Sequence, residues 1–217
     1  MNLLIIGSGG HAKVLQDILV NQLGHKVIGF TDPRPQEWGK RIQGAPILGN
    51  DAIVRTLLKK KKISAVAMGI GNRQMSIRKK LYETMTMQHI PFTTIIHPQA
   101  IVSATAHLSA GDVIMAGAIV NTGAHLGINV VVNTGAIVEH ECSIGDHVYI
   151  SPRVTLCGNV HVGKNSFIGA GATLIPDLRI EKNCVVGAGA VVIRDVPSGK
   201  TVVGIPAHPI GKTNFLP

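Results

Sequence analysis

The sequence predicts two domains of different class: an α/β domain on a small parallel sheet over residues 1–97, then a parallel β-helix over residues 98–217. Three observations carry this. Apolar runs alternate with helix-period stretches in the first part. The second part places an aliphatic residue at every sixth position. And 25 glycines accompany an aromatic content of only 3%, which suits thin, closely stacked layers better than a core filled by large side chains.

In the first domain Leu3-Leu4-Ile5-Ile6 reads as a buried strand and Gly7-Ser8-Gly9-Gly10 as a turn. Residues 11–22 read as a helix with Val14, Leu15, Ile18 and Leu19 on one face. A second strand covers 25–32 (HKVIGFTD), and a third covers 64–72 (SAVAMGIGN) and ends in a glycine turn. A basic helix follows over 74–86, with a last short strand from Phe92 to Ile96. Strands alternating with helices imply a parallel sheet, and the domain boundary falls near His97-Pro98.

The second domain declares itself by counting. Stepping by six from Val102 gives Leu108, Ile114, Val120, Leu126, Val132, Val138, Ile144, Ile150, Leu156, Val162, Ile168, Leu174, Ile180, Val186 and Val192, all Leu, Ile or Val. Two positions earlier the residue is usually small or slender, as at Ala118, Ala136, Cys142, Ala172 and Cys184. Two inward positions per six residues fit a short strand and a corner, and three such steps close a triangular coil of 18 residues. About five coils fit between Val102 and Val192. Asn129, His147, Asn165 and Asn183 are 18 apart, hence stacked on one edge, and asparagine tolerates the left-handed backbone of a tight corner. Gly127, Gly145, Gly163, Gly169 and Gly187 each follow an apolar step and read as further corner positions.

Composition narrows the function. No run approaches the roughly 18 uncharged apolar residues of a membrane span, and the Met1-Asn2-Leu3-Leu4 start has no basic stretch before its apolar one, so a cytoplasmic protein without membrane insertion is expected. Cys142, Cys157 and Cys184 are odd in number and lack CxxC spacing, which suggests neither a disulfide framework nor a zinc knuckle. The net charge of +9 lies wholly in the first domain, where 14 Lys/Arg face 5 Asp/Glu, against 7 and 7 in the second. Such a field attracts phosphates. Lys59–Lys62 reads as a solvated helix end, and no aromatic residues interleave with the charges as nucleic-acid binding would require.

GSGGHA (7–12) matches the looser dinucleotide fingerprint G-x-G-x-x-A of a Rossmann-like domain, where glycines let a phosphate approach the backbone at a helix N-terminus. Asp32 ends the second strand, where an acid meets a ribose hydroxyl. The candidate ligand contacts on this edge are Gly9, Gly10, His11, Asp32, Asn72 and Arg73. A first domain of about half the size of a full dinucleotide fold suits a nucleoside diphosphate better than a whole NAD. In the second domain His140 stands two residues beyond inward-facing Val138, near a corner, so its side chain should project off the prism. A neutral imidazole there can take a proton from a nucleophile, with Glu141 to orient the ring; a solvated surface pair is the alternative. His107, His125 and His161 share an 18-residue column interrupted by Ser143, which argues against a metal site.

The segments IIGSGGHAKV, IHPQA (96–100), VEHECSIGD, GNVHVGKNSFIGAGATLIPDLRI and VVGIPAHPI together resemble the sialic-acid O-acetyltransferase and UDP-amino-sugar N-acetyltransferase family, nearly end to end. The resemblance implies that the β-helix is left-handed. It also implies acetyl-CoA as co-substrate, no metal, and a homotrimer whose active sites lie between neighbouring β-helices. His140 falls on the family's general base and Glu141 on the acid that positions it. Gly9, Gly10, His11 and Asp32 fall on positions holding the nucleotide. The later coils and the GIPA tail would hold acetyl-CoA, with Gly169, Ala170, Gly187, Ala188 and Pro206 as contacts. Tyr149 stands where many members carry a second histidine that contacts substrate or cofactor. The expected reaction is N-acetylation of the 4-amino group of a UDP-linked amino-dideoxy sugar, with O-acetylation of a sialic acid or related sugar as the alternative. Other classes are an NAD-linked oxidoreductase, a metal-dependent carbonic anhydrase and a catalytically silent binding module.

Overall fold

The computed structural model describes residues 1–211; residues 212–217, the end of the second expected domain, lie outside the described residues. The chain forms two compact units that divide between Thr93 and Thr94.

The first unit is a five-stranded sheet ordered β3-β4-β2-β1-β5, from β1 (Asn2–Ile6), β2 (Lys26–Thr31), β3 (Arg41–Ile42), β4 (Ala45–Gly49) and β5 (Ala65–Met68). All pairs are parallel except the β3–β4 hairpin. Leu3, Leu4, Ile5 and Ile6 are fully buried, as expected for a strand covered on both faces. Helix α1 (Gly10–Asp17) follows β1 and runs on as a π turn over Ile18–Gln22. It buries Ala12, Leu15, Ile18 and Leu19, whereas Val14, expected on that face, is 48% exposed. At 100° per residue Val14 lies on the far side of the helix from Ala12 and Leu19. Helix α2 (Ile53–Lys59) ends in the exposed lysine run, and α3 (Met75–Met87) is the basic helix. The sequence reading missed β4 because only Ala45, Ile47 and Gly49 turn inward and Pro46 interrupts the pattern.

The expected last strand, Phe92 to Ile96, is divided. Phe92 bridges to Val66 of β5, whereas Ile95–Ile96 pairs in parallel with Val113–Ile114 and starts the second unit. That unit is a left-handed parallel β-helix whose two-residue strands stack into three walls. The first wall carries Ile101–Val102, Ile119–Val120, Ile137–Val138 and onward to Val191–Val192. The second carries His125–Leu126, Ser143–Ile144, His161–Val162 and Arg179–Ile180. The third begins at Ile95–Ile96 and ends in an antiparallel hairpin, Thr201–Val203 with His208–Ile210. Within the stack of full coils residue i faces i+18, as in Ile137↔Thr155 and Ser143↔His161. The six-residue series from Ile114 to Val192 forms one continuous buried core, with Val102 and Leu108 packed against its open end. Each fully buried Leu, Ile or Val contributes about 1.5–3 kcal/mol, and backbone bonds such as Ile137 N to Val154 O (2.8 Å) tie each coil to the next.

Asn129, His147, Asn165 and Asn183 have φ near 60° and lie on one corner column. Asn165 Nδ2 donates to Asn183 Oδ1 at 3.1 Å, so the side chains bond along the axis. Gly127, Gly145 and Gly163 serve differently from the corner role expected of them: their φ is ordinary, and a Cβ at Gly163 would stand 2.5 Å from the backbone nitrogen of Lys182. They let successive coils touch. Gly163→Ala should therefore cost about 1–3 kcal/mol, read as a lowered thermal unfolding midpoint with the far-ultraviolet spectrum unchanged.

Candidate active site

In the first unit, β1 and β5 are adjacent, and the chain leaves β1 through α1 toward β2, on the opposite side from β5. The crevice at the carboxyl ends of two such strands is where open parallel sheets bind ligands. Gly7–His11 leaves β1 here, Asp32 follows β2, and Asn72 and Arg73 follow β5. A Cβ at Gly69 would meet Ile5 Cγ2 at 2.5 Å and Ala12 Cβ at 2.8 Å, so close packing of β5 on α1 requires that glycine. Gly9 and Gly10 are different. Neither has a positive φ, and a Cβ on either would meet no atom within 4 Å. Nothing in this unit demands their bareness, which leaves two exposed backbone N–H positions open to a ligand at the start of α1.

Asp32 is buried, and its carboxylate is fully engaged. Arg34 forks onto it through Nε to Oδ1 and Nη2 to Oδ2, both at 3.0 Å, and the Arg34 backbone N–H donates to Oδ1 at 2.9 Å. Ser8 Oγ donates to Oδ2. The Arg34 bonds, with help from Ser8, hold the carboxyl well below the usual carboxylate range. The expected contact from Asp32 to a ribose hydroxyl thus has to be shared with Arg34, whose side chain is 60% exposed. Trp38 Nε1 donates to the Asp32 backbone oxygen at 2.8 Å.

His11 lies half-buried against Gly71, whose Cβ would come 3.3 Å from that of His11. Burial first, and the Arg78 charge second, push its imidazole from the ordinary 6.5 down to about 3, so it is neutral at physiological pH. Arg78, on α3, is buried and donates through Nη1 to the carbonyls of Met68 and Ile70 at 3.0 and 2.8 Å, pinning the exit of β5. Asn72 is half-buried, and Arg73 is exposed.

In the second unit His140 and Glu141 occupy a corner between the first and second walls. Glu141 has φ 59°, in a column with Gly123, Asn159 and Asp177. For a glutamate this left-handed backbone costs about 1–2 kcal/mol. The exposed His140 ring lies along the axis over Gly158: a Cβ there would stand 2.5 Å from both Cε1 and Nε2. The Glu141 carboxylate lies the other way, over Gly123, with Oε1 2.5 Å from where a Cβ would be. The two side chains therefore diverge, and among the described residues no hydrogen bond joins them. Glu139 is the acid tied to the local backbone: its Oε2 accepts from Asn121 Nδ2 at 2.9 Å and from the His140 N–H at 3.3 Å.

Ala170 and Ala188, both exposed, sit on another corner, between the third and first walls, where the Gly189 N–H donates to Ala170 O at 2.8 Å. The exposed turn Gly204-Ile205-Pro206 continues that edge, as the Val191 N–H donates to Gly204 O at 3.0 Å. The bareness of Gly169 and Gly187 is explained within the fold: a Cβ on the first would meet Ala188 N at 2.5 Å, and one on the second Val203 Cγ1 at 2.7 Å. Tyr149 is only 5% exposed. Its hydroxyl accepts from Asn133 Nδ2 at 3.0 Å, and its ring stacks on Phe167, so it supports the third wall and offers little surface. The His107 and His125 rings stack at 4.3 Å, and Ser143 separates them from His161.

Residues 2–85 match the PglD N-terminal domain, and residues 159–194 match the bacterial transferase hexapeptide (six repeats). A curated relative, UDP-N-acetylbacillosamine N-acetyltransferase from Bacillus subtilis (strain 168), is 37% identical over 116 residues, 52% of this chain. The match spans about half, 51%, of that relative's length. The chain superposes on a histidine-to-asparagine mutant of perosamine N-acetyltransferase from Caulobacter crescentus in complex with CoA and GDP-perosamine: 32% identity, 98% of each chain covered, TM-score 0.90. It also superposes on the acetyltransferase domain of PglB from Neisseria gonorrhoeae FA1090, with 36% identity, 96% of this chain and 99% of that one covered, and a TM-score of 0.88. The chain belongs to this family of hexapeptide-repeat sugar acetyltransferases.

Within the family frame, Arg34, Trp38, Arg78 and Gly158 are the residues that sequence reasoning passed over. Arg34 and Trp38 lie in the loop after β2, Arg78 in a helix full of other basic residues, and Gly158 among many glycines. Only the offset of 18 from His140 to Gly158 carries a signal readable in advance.

Three outcomes are expected. Gly10→Ala should leave the folding stability unchanged or raise it by about 0.5–1 kcal/mol, read from the unfolding midpoint, while weakening nucleotide binding in a calorimetric titration. The low folded-state pKa of His11 means that the unfolded chain binds its proton more readily. Stability should thus be full above pH 6.5 and fall as pH drops toward 3, with His11→Gln flattening the profile in that window. Gly158→Ala should retain the fold but displace the His140 ring, lowering kcat on the order of 10²-fold.

Proposed function

We propose that this protein transfers the acetyl group of acetyl-CoA to the 4-amino group of a nucleotide-linked amino-dideoxy sugar, with His140 as general base. The observation that carries the reading is the His140 ring, held exposed at a corner over the bare Cα of Gly158, in a chain whose relatives include structures bound to CoA and GDP-perosamine and to acetyl coenzyme A. The solved relatives with a replaced histidine support the choice of that residue type. The open turn at Gly9 and Gly10 and the +9 charge of the first domain support a diphosphate-linked acceptor.

The neutral amine attacks the thioester carbonyl, forming the C–N bond as the carbonyl electrons move onto oxygen. His140 takes the ammonium proton, and backbone N–H groups of a neighbouring coil stabilise the oxyanion. Collapse breaks the C–S bond, and the CoA thiolate leaves with the proton held by the imidazolium. Glu141, whose carboxylate lies over Gly123 and not against the ring, adds a negative charge at the same corner without orienting the imidazole. Gly9, Gly10, His11, Asp32, Asn72 and Arg73 bind the nucleotide; Gly169, Ala170, Gly187, Ala188 and Pro206 frame the acetyl-CoA edge, while Tyr149, buried in the third wall, supports it from within. That edge and the His140 corner are separated by one wall of six residues, up to ~20 Å at about 3.3 Å per residue. We propose that a neighbouring copy presents this edge to His140, in a homotrimer closed by a repeated heterologous contact.

We assign a UDP-linked acceptor on the 37% identity to the UDP-N-acetylbacillosamine enzyme. No helix among the described residues is long and apolar enough to cross a membrane, and we place the enzyme in the cytoplasm, where acetyl-CoA and nucleotide sugars meet. CoA release measured with UDP- and GDP-linked 4-amino sugars and with free sialic acid tests the assignment. Turnover on a UDP-amino sugar should fall about 10²–10⁴-fold in His140→Ala. Turnover on sialic acid alone would replace N- by O-acetylation, and an unchanged rate in the variant would remove His140 from the chemistry.

A further inference from the structure

The loop after β2 holds an arrangement that the reaction above does not use. Trp38 is the chain's single tryptophan, and it is 42% exposed. Exposed indoles are ordinarily free to move, but this one is fixed. Its Nε1–H bonds to the Asp32 carbonyl at 2.8 Å, and its backbone N–H to Pro35 O at 3.1 Å. The loop itself is stiffened by Pro33 and Pro35 on either side of Arg34. Arg34 is locked in turn by its fork on Asp32 through Nε and Nη2, which leaves Nη1 without a hydrogen bond among the described residues and the planar guanidinium open to solvent. An indole and a guanidinium, both planar and both pre-set by bonds to the same aspartate, stand at the carboxyl end of β2. In a parallel sheet of this order that is the side of the phosphate-binding turn where the nucleoside lies.

We infer that Trp38 and Arg34 form the nucleobase platform of this enzyme: the indole stacks on the base, and Arg34 presents a hydrogen-bond donor to its edge. The ligand class is a nucleoside diphosphate, and the inference rests on the nucleotide-linked acceptor proposed above. Stacking on an aromatic face is tolerant of base identity, whereas a donor at the edge reads carbonyl oxygens, which uracil and guanine both carry. Because both residues are held in place before binding, little ordering entropy opposes the contact.

The single tryptophan makes the test direct. Emission excited at the red edge of indole absorption is followed while UDP, GDP or inorganic pyrophosphate is added to the full chain, and calorimetry records binding in parallel. Quenching by UDP or GDP that saturates with the calorimetric binding curve, and that pyrophosphate does not produce, is the expected result; which nucleotide binds tighter identifies the base. Trp38→Ala should weaken nucleotide binding on the order of 10- to 100-fold and leave pyrophosphate binding unchanged, whereas Trp38→Phe should retain most of the affinity. Nucleotide binding without a change in emission, quenching by pyrophosphate alone, or undiminished affinity in Trp38→Ala would each overturn the platform and leave the acetyltransferase reading standing. Absence of any nucleotide binding would overturn both.

Discussion

Everything in the second unit depends on one constraint: residue i must sit beneath residue i+18. Backbone N–H and C=O groups on each wall are satisfied only by the coils above and below, and an unsatisfied buried amide costs too much to tolerate. The inward series of Leu, Ile and Val fixes this register, since a slip by one residue would turn every aliphatic side chain outward. Once register is fixed, the place of each outward side chain follows. His140 sits over Gly158 because 158 is 140 plus 18, and a bare Cα there gives an imidazole room to lie flat on the neighbouring coil.

The first unit solves a different problem by similar means. Its parallel strands need crossover helices, and the carboxyl edge collects every loop that follows a strand. Two kinds of glycine stand on that edge. Gly7, with φ 91°, and Gly69, wedged between β1 and α1, are required by the chain itself. Gly9 and Gly10 are required by nothing inside it. Local consistency breaks at functional places, and this distinction separates, better than the motif does, an architectural glycine from one that the fold does not require. Buried Arg78 adds a second such break: its charge is enclosed beside a neutral imidazole, and its Nη1 bonds fall on two carbonyls at the end of β5.

The six-residue series was legible because one residue class recurs without exception, and the same regularity made the corner asparagines readable. Strands β1, β2 and β5 were legible as dense apolar runs. Features settled by tertiary contact were not. Val14 looks as apolar as Leu15, and only the geometry of α1 turns it to solvent. Ile95–Ile96 resembles a last strand of the sheet, yet it pairs with Val113–Ile114, a partner whose distance in sequence no local pattern encodes. Around the candidate site, the position of His140 at a corner was legible from its spacing to Val138. The direction of Glu141 was not: adjacency in sequence suggested a paired ring and carboxylate, but the left-handed φ at Glu141 sends the carboxylate over Gly123 and away from the ring. Asp32 was found as an acid at a strand end, but its partner Arg34 emerges only when the loop folds back.

The stacking of coils also makes the second unit a ruler with fixed graduations. An insertion of 18 residues between His140 and the Ala170 edge would lift everything beyond it by one strand spacing, about 4.8 Å, without rotation. An insertion of six would carry the same residues onto the next corner. Separation along the axis and direction around it are therefore set independently, in whole steps. The separation of the His140 corner from the Ala170 edge along the axis can change only by whole coils, and any smaller adjustment has to come from the loops and tail outside the prism.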